Sequence, residues 1–266
     1  MYETLRVERE AHLTWLTLDR PAALNAMSRT LIRELHDFFW SLHDDRETRV
    51  LVIRGAGRAF CAGLDLKEQG QGGDDAMGSV QGGLRAQRQV SELVMLMRRA
   101  PQPIIAAVHG PACGGGFALA LAADVRIAGE STRMNAAFIR IGLSACDVGV
   151  SYFLPRIVGA SVASELLLTG DFIHADRALA TGLVSRVVPD AELENSAREM
   201  ANRMMRNSPL ALRLTKEALE VNVDAGSLAA AIAIEDRNQI LAATSSDFRE
   251  GIAAFLEKRE PKFQDR

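Results

Sequence analysis

Cysteine is scarce. Cys61, Cys113 and Cys146 are the only three among 266 residues; they lie far apart and form no C-x-x-C pair. That excludes a disulfide framework and a zinc ribbon, and small, reduced thiols are expected instead. Neither sign of charge is in large surplus. Lys and Arg number 31 against 34 Asp and Glu, a formal net charge of -3, which argues against a nucleic-acid partner, since such proteins show a basic surplus or face. No apolar run reaches the roughly 18 residues of a membrane span, and the opening M-Y-E-T-L-R carries charge where a secretory signal would be apolar. A cytoplasmic protein without a membrane partner is expected.

Several catalytic signatures are missing as well. Gly55-Ala-Gly57-Arg-Ala-Phe60 supplies only the first two glycines of a dinucleotide fingerprint, and no G-x-x-x-x-G-K-[ST] loop occurs. His12, His36, His43, His109 and His174 show no i, i+4 pairing and no H-E-x-x-H pattern, so no metal is expected. The nearest approach to a G-x-S-x-G elbow is Gly142-Leu-Ser144-Ala-Cys146. His109, which ends an apolar run, reads as structural.

What is present reads as α/β layering. H-L-T-W-L-T-L at 12–18, V-L-V-I-R at 50–54, P-I-I-A-A-V-H at 103–109 and residues 124–128 have the apolar, β-branched content of strands. Residues 28–45, with Ser28 as N-cap, and 84–99 space their apolar residues as helices do. An apolar strand, a glycine turn and a helix-compatible stretch occur at 50–67 and again at 103–124, which suggests a stacked repeat. From about Gly149 the chain becomes almost wholly helix-like, with helices expected over 192–206, 209–221, 228–243 and 248–259. Between these parts, residues 68–83 hold six glycines in sixteen and read as a loop, either a lid or a surface linker.

With the familiar side-chain signatures gone, backbone chemistry remains. Gly63 permits a turn in Phe60-Cys-Ala-Gly63-Leu64-Asp65-Leu66 that leaves the Leu64 amide free to point inward. Gly114-Gly115-Gly116 lies between a strand and a helix whose first N–H groups lack intrahelical partners and sit at its positive dipole end. Two such amides converging on one carbonyl would form an oxyanion hole. Tight strand-to-helix packing is the alternative use for these glycines.

The ordered motifs F-C-A-G-L-D-L at 60–66, I-A-A-V-H-G-P-A-C-G-G-G at 105–116 and A-A-D-V-R-I-A at 122–128 resemble the crotonase superfamily, the enoyl-CoA hydratase/isomerase family. R-P-x-x-x-N-A at 20–26, L-L-L-T-G-D at 166–171, G-L-V-S-R-V-V-P at 182–189 and G-I-A-A-F-L-E-K-R at 251–259 extend the likeness over nearly the whole chain. The resemblance implies a crotonase-like spiral of ββα units over residues 1–200. A helical trimerisation region over 201–266 would follow, giving a homotrimer or a dimer of trimers. It implies an acyl-CoA substrate held at the amides of Leu64 and Gly115, with coenzyme A entering as part of the thioester and no separate cofactor. Ala26, Ala62, Leu64, Asp65, Leu66 and Lys67 match positions lining the CoA moiety, and Phe255 with Lys258 match positions reaching a neighbouring subunit's CoA. For the two lysines a solvated surface role is the alternative.

One departure changes the expected chemistry. Hydratases of this family carry two glutamates at positions that fall here on Ala118 and Phe138, and neither residue can move a proton. Both would instead line a hydrophobic acyl pocket. Asp147, in a D-V-G segment resembling that of dienoyl-CoA isomerases but one residue more distant, is a replacement acid or else the N-cap of the following helix. Glu68, Asp74 and Asp75 are weaker acid candidates. Isomerisation of an enoyl-CoA is therefore expected in preference to hydration. A non-catalytic acyl-CoA binding protein and a thioester hydrolase are the alternatives.

Overall fold

The computed structural model describes residues 2–71 and 79–265. In chain order its strands are β1 (Leu5–Glu10), β2 (Leu13–Leu18), β3 (Val50–Gly55), β4 (Ile104–Val108), β5 (Pro111–Cys113), β6 (Val125–Gly129), β7 (Arg133–Asn135), β8 (Ile173–His174) and β9 (Arg186–Val188). Six of them form the main sheet in the order β1-β2-β3-β4-β6-β9, parallel except for the β1–β2 hairpin. Every residue of β2 and β4 is buried. A parallel sheet covered on both faces requires such strands, which is why they read as continuous apolar runs. β1, L-R-V-E-R-E, was not among the expected strands. It is the sheet edge and is mostly solvent-facing, so it carries charges that blunt edge pairing.

The repeat suggested by residues 50–67 and 103–124 is present, with a third copy. After β3 the chain crosses to a second layer, where Cys61 pairs with Ala112 of β5; after β4 it enters β5, and after β6 it enters β7, which pairs with β5 in parallel. β3, β4 and β6 are thus each followed by a short second-layer segment and then by helix, and these units stack as a spiral of ββα units. The helices of the core are α1 (Arg29–Ser41), α2 (Leu66–Gln71), α3 (Val80–Arg99), α4 (Gly115–Ala122), α5 (Val150–Val158), α6 (Ala160–Thr169), α7 (Ala175–Ala180) and α8 (Leu193–Met205). Ser28 caps α1 by accepting from Leu31 N–H. The largest apolar cluster lies between the two layers, among α1, α3 and α4, while Leu193, Ala197 and Ala201 of α8 cover the outer face of β2, β3 and β4.

Two expectations need correction. Residues 68–83 are not one loop. Residues up to Gln71 belong to α2, and α3 begins at Val80 because the Ser79 hydroxyl accepts from Gly82 N–H and caps it. Asp74 and Asp75 lie outside the described residues. The division after residue 200 falls inside α8, which cannot be divided because its apolar stripe is part of the sheet's cover. A helical region does follow: α9 (Pro209–Asn222), α10 (Leu228–Ala243) and α11 (Ser246–Glu257). α9 is pinned to the core by Lys216, whose buried ammonium meets Asp124 Oδ2 at 3.0 Å and the Gln102 carbonyl at 2.8 Å. Burial pushes this amine below the usual lysine range, against the pull of Asp124. Among the described residues no helix is long and apolar enough to cross a membrane.

Candidate active site

The site is built where two of the repeated units touch. Met27 bridges to Leu64 in parallel, donating to the Gly63 carbonyl at 2.7 Å and accepting from Asp65 N–H at 3.1 Å. In a parallel bridge the residue making both bonds is Met27, so the N–H of Leu64 faces the opposite edge. Gly63 has φ +94°, and a Cβ there would stand 2.8 Å from the Cys113 carbonyl oxygen and 3.6 Å from the Gly115 nitrogen. The Gly115 amide therefore lies beside the 63–64 peptide, and only a residue without a side chain permits the approach.

Gly115 opens α4. The preceding Gly114 has φ +49° and ψ −117°, outside the basins of L residues, and its N–H is bonded to the Asn135 carbonyl at 2.9 Å. The first bond within the helix runs from Ala118 N–H to the Gly114 carbonyl at 3.0 Å. The N–H groups of residues 115 to 117 are therefore the ones a helix start leaves open. Every residue of α4 is buried. Its other end is closed by the half-buried guanidinium of Arg126, which donates to the carbonyls of Ala123 at 2.6 Å and Leu121 at 3.2 Å. Burial lowers Arg126 to about 10, still protonated at neutral pH. A cation at the C-terminal end and open amides at the N-terminal end both suit the helix dipole, leaving the latter fit for developing negative charge.

Around this junction, Phe138 is buried and sets its ring edge 3.4 Å from the place a Gly114 Cβ would take. Ala118 is wholly buried one turn into α4. Ala26 and Ala62 are half-buried, as are Leu64 and Asp65, while Leu66 and Lys67 are exposed. Asp65 is held by Arg20 Nη1 at 3.0 Å and accepts from Lys67 N–H at 3.2 Å. Burial alone would raise its carboxyl, but the Arg20 hydrogen bond and charge outweigh that and hold it below the usual aspartate range. Asp65 is thereby a clamp on the loop. Glu68 is likewise committed, accepting from Arg29 N–H at 3.0 Å at the start of α1. His109 bonds the Gly57 carbonyl at 2.8 Å, consistent with its structural reading.

Asp147 is half-buried. Its Oδ1 accepts from Val148 N–H at 2.8 Å and from Gln87 Nε2 of α3. It is not the side-chain cap of α5: the cap position is Gly149, with no side-chain bond, because the turn places Val148 and Gly149 at φ +47° and +81°. The expectation of an N-cap role is thereby corrected. Phe255 and Lys258 lie on α11 and its C-cap, with Phe255 82% exposed. Burial pushes the Cys61 thiol up to about 12 and that of Cys113 to about 11, so neither supplies a thiolate at neutral pH.

Three supporting residues escaped the sequence reading. Asn25, left-handed and fully buried, donates to the carbonyls of Ala56 and Ala59 and locks the turn before Met27. Its neighbour in the same R-P-x-x-x-N-A stretch, Arg20, clamps Asp65. That motif was the available signal for both, whereas Gln87 stands in a run of polar residues with nothing to mark it.

The family model described as Enoyl-CoA hydratase/isomerase matches residues 8–266. A probable enoyl-CoA hydratase of Mycobacterium tuberculosis is 39% identical over 257 residues, covering 94% of this chain and 88% of that protein. The 1,2-epoxyphenylacetyl-CoA isomerase of Escherichia coli is 34% identical, covering 99% of both chains. The crystal structure of an enoyl-CoA hydratase from Bacillus anthracis superposes with a TM-score of 0.93 at 33% identity, covering 99% of this chain and 100% of that one.

Proposed function

Since the chain belongs to the enoyl-CoA hydratase/isomerase family, we propose that it moves a double bond within an enoyl-CoA thioester. The observation that carries this reading is the Gly115 amide beside the 63–64 peptide. The thioester oxygen accepts from the N–H groups of Leu64 and Gly115, and the negative charge that develops on it is met by donors already in place. One such donor is worth about 10²–10³ in rate.

Stabilising that charge acidifies the carbon next to the thioester. Asp147 takes a proton from this α carbon; the electron pair of the broken C–H bond spreads over the thioester oxygen and the neighbouring double bond. The same carboxyl returns the proton to the γ carbon, so the double bond moves from β,γ to α,β with no net loss of atoms or charge. General acid–base help of this kind supplies about 10²–10⁴-fold. Isomerisation is preferred to hydration on the strength of the resemblance, which assigns to Ala118 and Phe138 the positions where hydratases carry two carboxylates, and neither residue can activate a water.

In this reading Ala26, Ala62, Leu64, Asp65, Leu66 and Lys67 form one wall along the CoA moiety, and Ala118 and Phe138 make the acyl end apolar. Coenzyme A arrives as part of the substrate and no further cofactor takes part. The chain works as a homotrimer in which Phe255 and Lys258 face a neighbouring subunit's CoA. The exposed Leu228, Ile240, Phe255 and Leu256 on α10 and α11 support this as apolar side chains that a second copy would cover.

The test is Asp147→Asn assayed on β,γ-enoyl-CoA thioesters of short, long, branched and aromatic acyl groups. A fall of about 10²–10⁴ in kcat is expected. Unchanged turnover on every accepted thioester refutes the role of Asp147, release of free thiol during turnover points to hydrolysis, and binding without any turnover points to a carrier.

A further inference from the structure

Asp147 is held in a particular way. Its Oδ1 accepts two neutral donors, Val148 N–H at 2.8 Å and the side-chain amide of Gln87, from a helix sixty residues earlier in the chain. Among the described residues its Oδ2 takes part in no hydrogen bond and the carboxylate in no ion pair. The backbone around it is constrained too. Val148 is β-branched and left-handed at φ +47°, a strained arrangement that the surroundings must enforce, and the Asp147 carbonyl is tied to Val150 N–H at 2.9 Å.

From this we propose that Gln87 is a positioning residue. It occupies Oδ1, fixes the plane of the carboxylate, and leaves Oδ2 as the oxygen that takes and returns the substrate proton. The inference rests on the reading of Asp147 as the acid–base group and adds the group that aims it. A neutral amide suits the task. An Arg or Lys in its place would also orient the carboxylate, but its positive charge would favour the ionised form and weaken it as a base. Asp65 shows what a cation does to a carboxyl: Arg20 holds it below the usual aspartate range. Because Gln87 and Asp147 sit on separate elements, α3 and the turn before α5, the bond also sets the distance between them.

The experiment uses the full chain with Gln87→Leu and Gln87→Met, each alone and combined with Asp147→Asn. Two readouts are taken: turnover of a β,γ-enoyl-CoA, and exchange of the α protons of hexanoyl-CoA with deuterated water, which reports proton removal without a completed reaction. Either Gln87 variant is expected to lower kcat and the exchange rate about 10- to 100-fold, as a misaimed reacting group does, with KM nearly unchanged. In the Asp147→Asn background the same change is expected to cost nothing further, because no carboxylate remains to be aimed. An equal loss in both backgrounds, a raised KM with kcat kept, or failure of both variants to fold assigns Gln87 to scaffolding and overturns the proposal. Undiminished exchange in Asp147→Asn by itself refutes Asp147 as the base and the role of Gln87 with it.

Discussion

Gly63→Ala offers a direct measure of how much the reaction depends on the backbone junction. Two costs enter. The first is conformational: an L residue at φ +94° lies outside the right-handed basins, a penalty of about 1–2 kcal/mol. The second is steric. The new Cβ would stand 2.8 Å from the Cys113 carbonyl oxygen, a backbone atom of β5 that cannot swing aside, and overpacking of this kind costs about 1–3 kcal/mol. Together they give about 2–5 kcal/mol, which a domain with about 5–15 kcal/mol of stability survives at ordinary temperature. Gly182→Ala is the matched control, since φ is +77° there but the nearest atom is 3.9 Å away, so only the conformational cost applies. The Cβ at residue 63 also pushes β5 and the Gly115 amide away from the Leu64 amide. If both donate to one oxygen, kcat in Gly63→Ala falls about 10²–10³-fold while Gly182→Ala keeps its activity. Urea unfolding and turnover of a β,γ-enoyl-CoA, measured side by side, provide the check. A Gly63→Ala enzyme that loses stability but retains kcat would refute the claim that the junction holds the thioester oxygen.

Two further outcomes are expected. The buried Glu34 of α1 accepts from Glu3 N–H at 2.7 Å, Thr4 N–H at 2.8 Å and the Thr4 hydroxyl at 2.6 Å, and although burial raises its carboxyl these bonds hold it below the ordinary value of 4.5. For a carboxylate so lowered, the stabilisation is complete above that value and is lost as pH falls through the folded-state value; the gap in urea midpoint between the wild type and Glu34→Gln should therefore be widest at neutral pH and close below pH about 4.5, and a constant gap would contradict it. Leu256, 73% exposed on α11, is expected to be covered in a trimer. Leu256→Glu should shift sedimentation toward the monomer, whereas a monomeric parent protein would remove the assembly from the account.

Much of the architecture could be read before any coordinates. The buried strands at 50–54 and 103–109 declared themselves because a parallel sheet covered on both faces leaves no polar position to interrupt the run. β1 was missed for the converse reason: an edge strand exposed to water carries charge. The start of α3 was masked by Gly82 and Gly83, poor helix formers that the Ser79 cap and the long helix behind them override. Leu64 and Gly115 stood out as candidates because each lies at a glycine-bearing turn after an apolar strand, where an amide can stay open, although tight strand-to-helix packing would use the same glycines. Asp147 could be named, but its two possible roles, cap or substrate-facing acid, could not be separated. The left-handed turn at Val148 and Gly149 eliminates the cap.

The sequence by itself determined the α/β character, the repeating strand–turn–helix unit and the glycines where backbone could lie bare, because periodicity and residue type act over a few positions. Only the tertiary structure decided that the 63–64 peptide and the Gly115 amide lie side by side, that Arg20 commits Asp65, and that Gln87 reaches Asp147. These are contacts between residues 45 to 60 positions apart in the chain. They depend on how the units of the spiral stack, and local propensity carries no term for that.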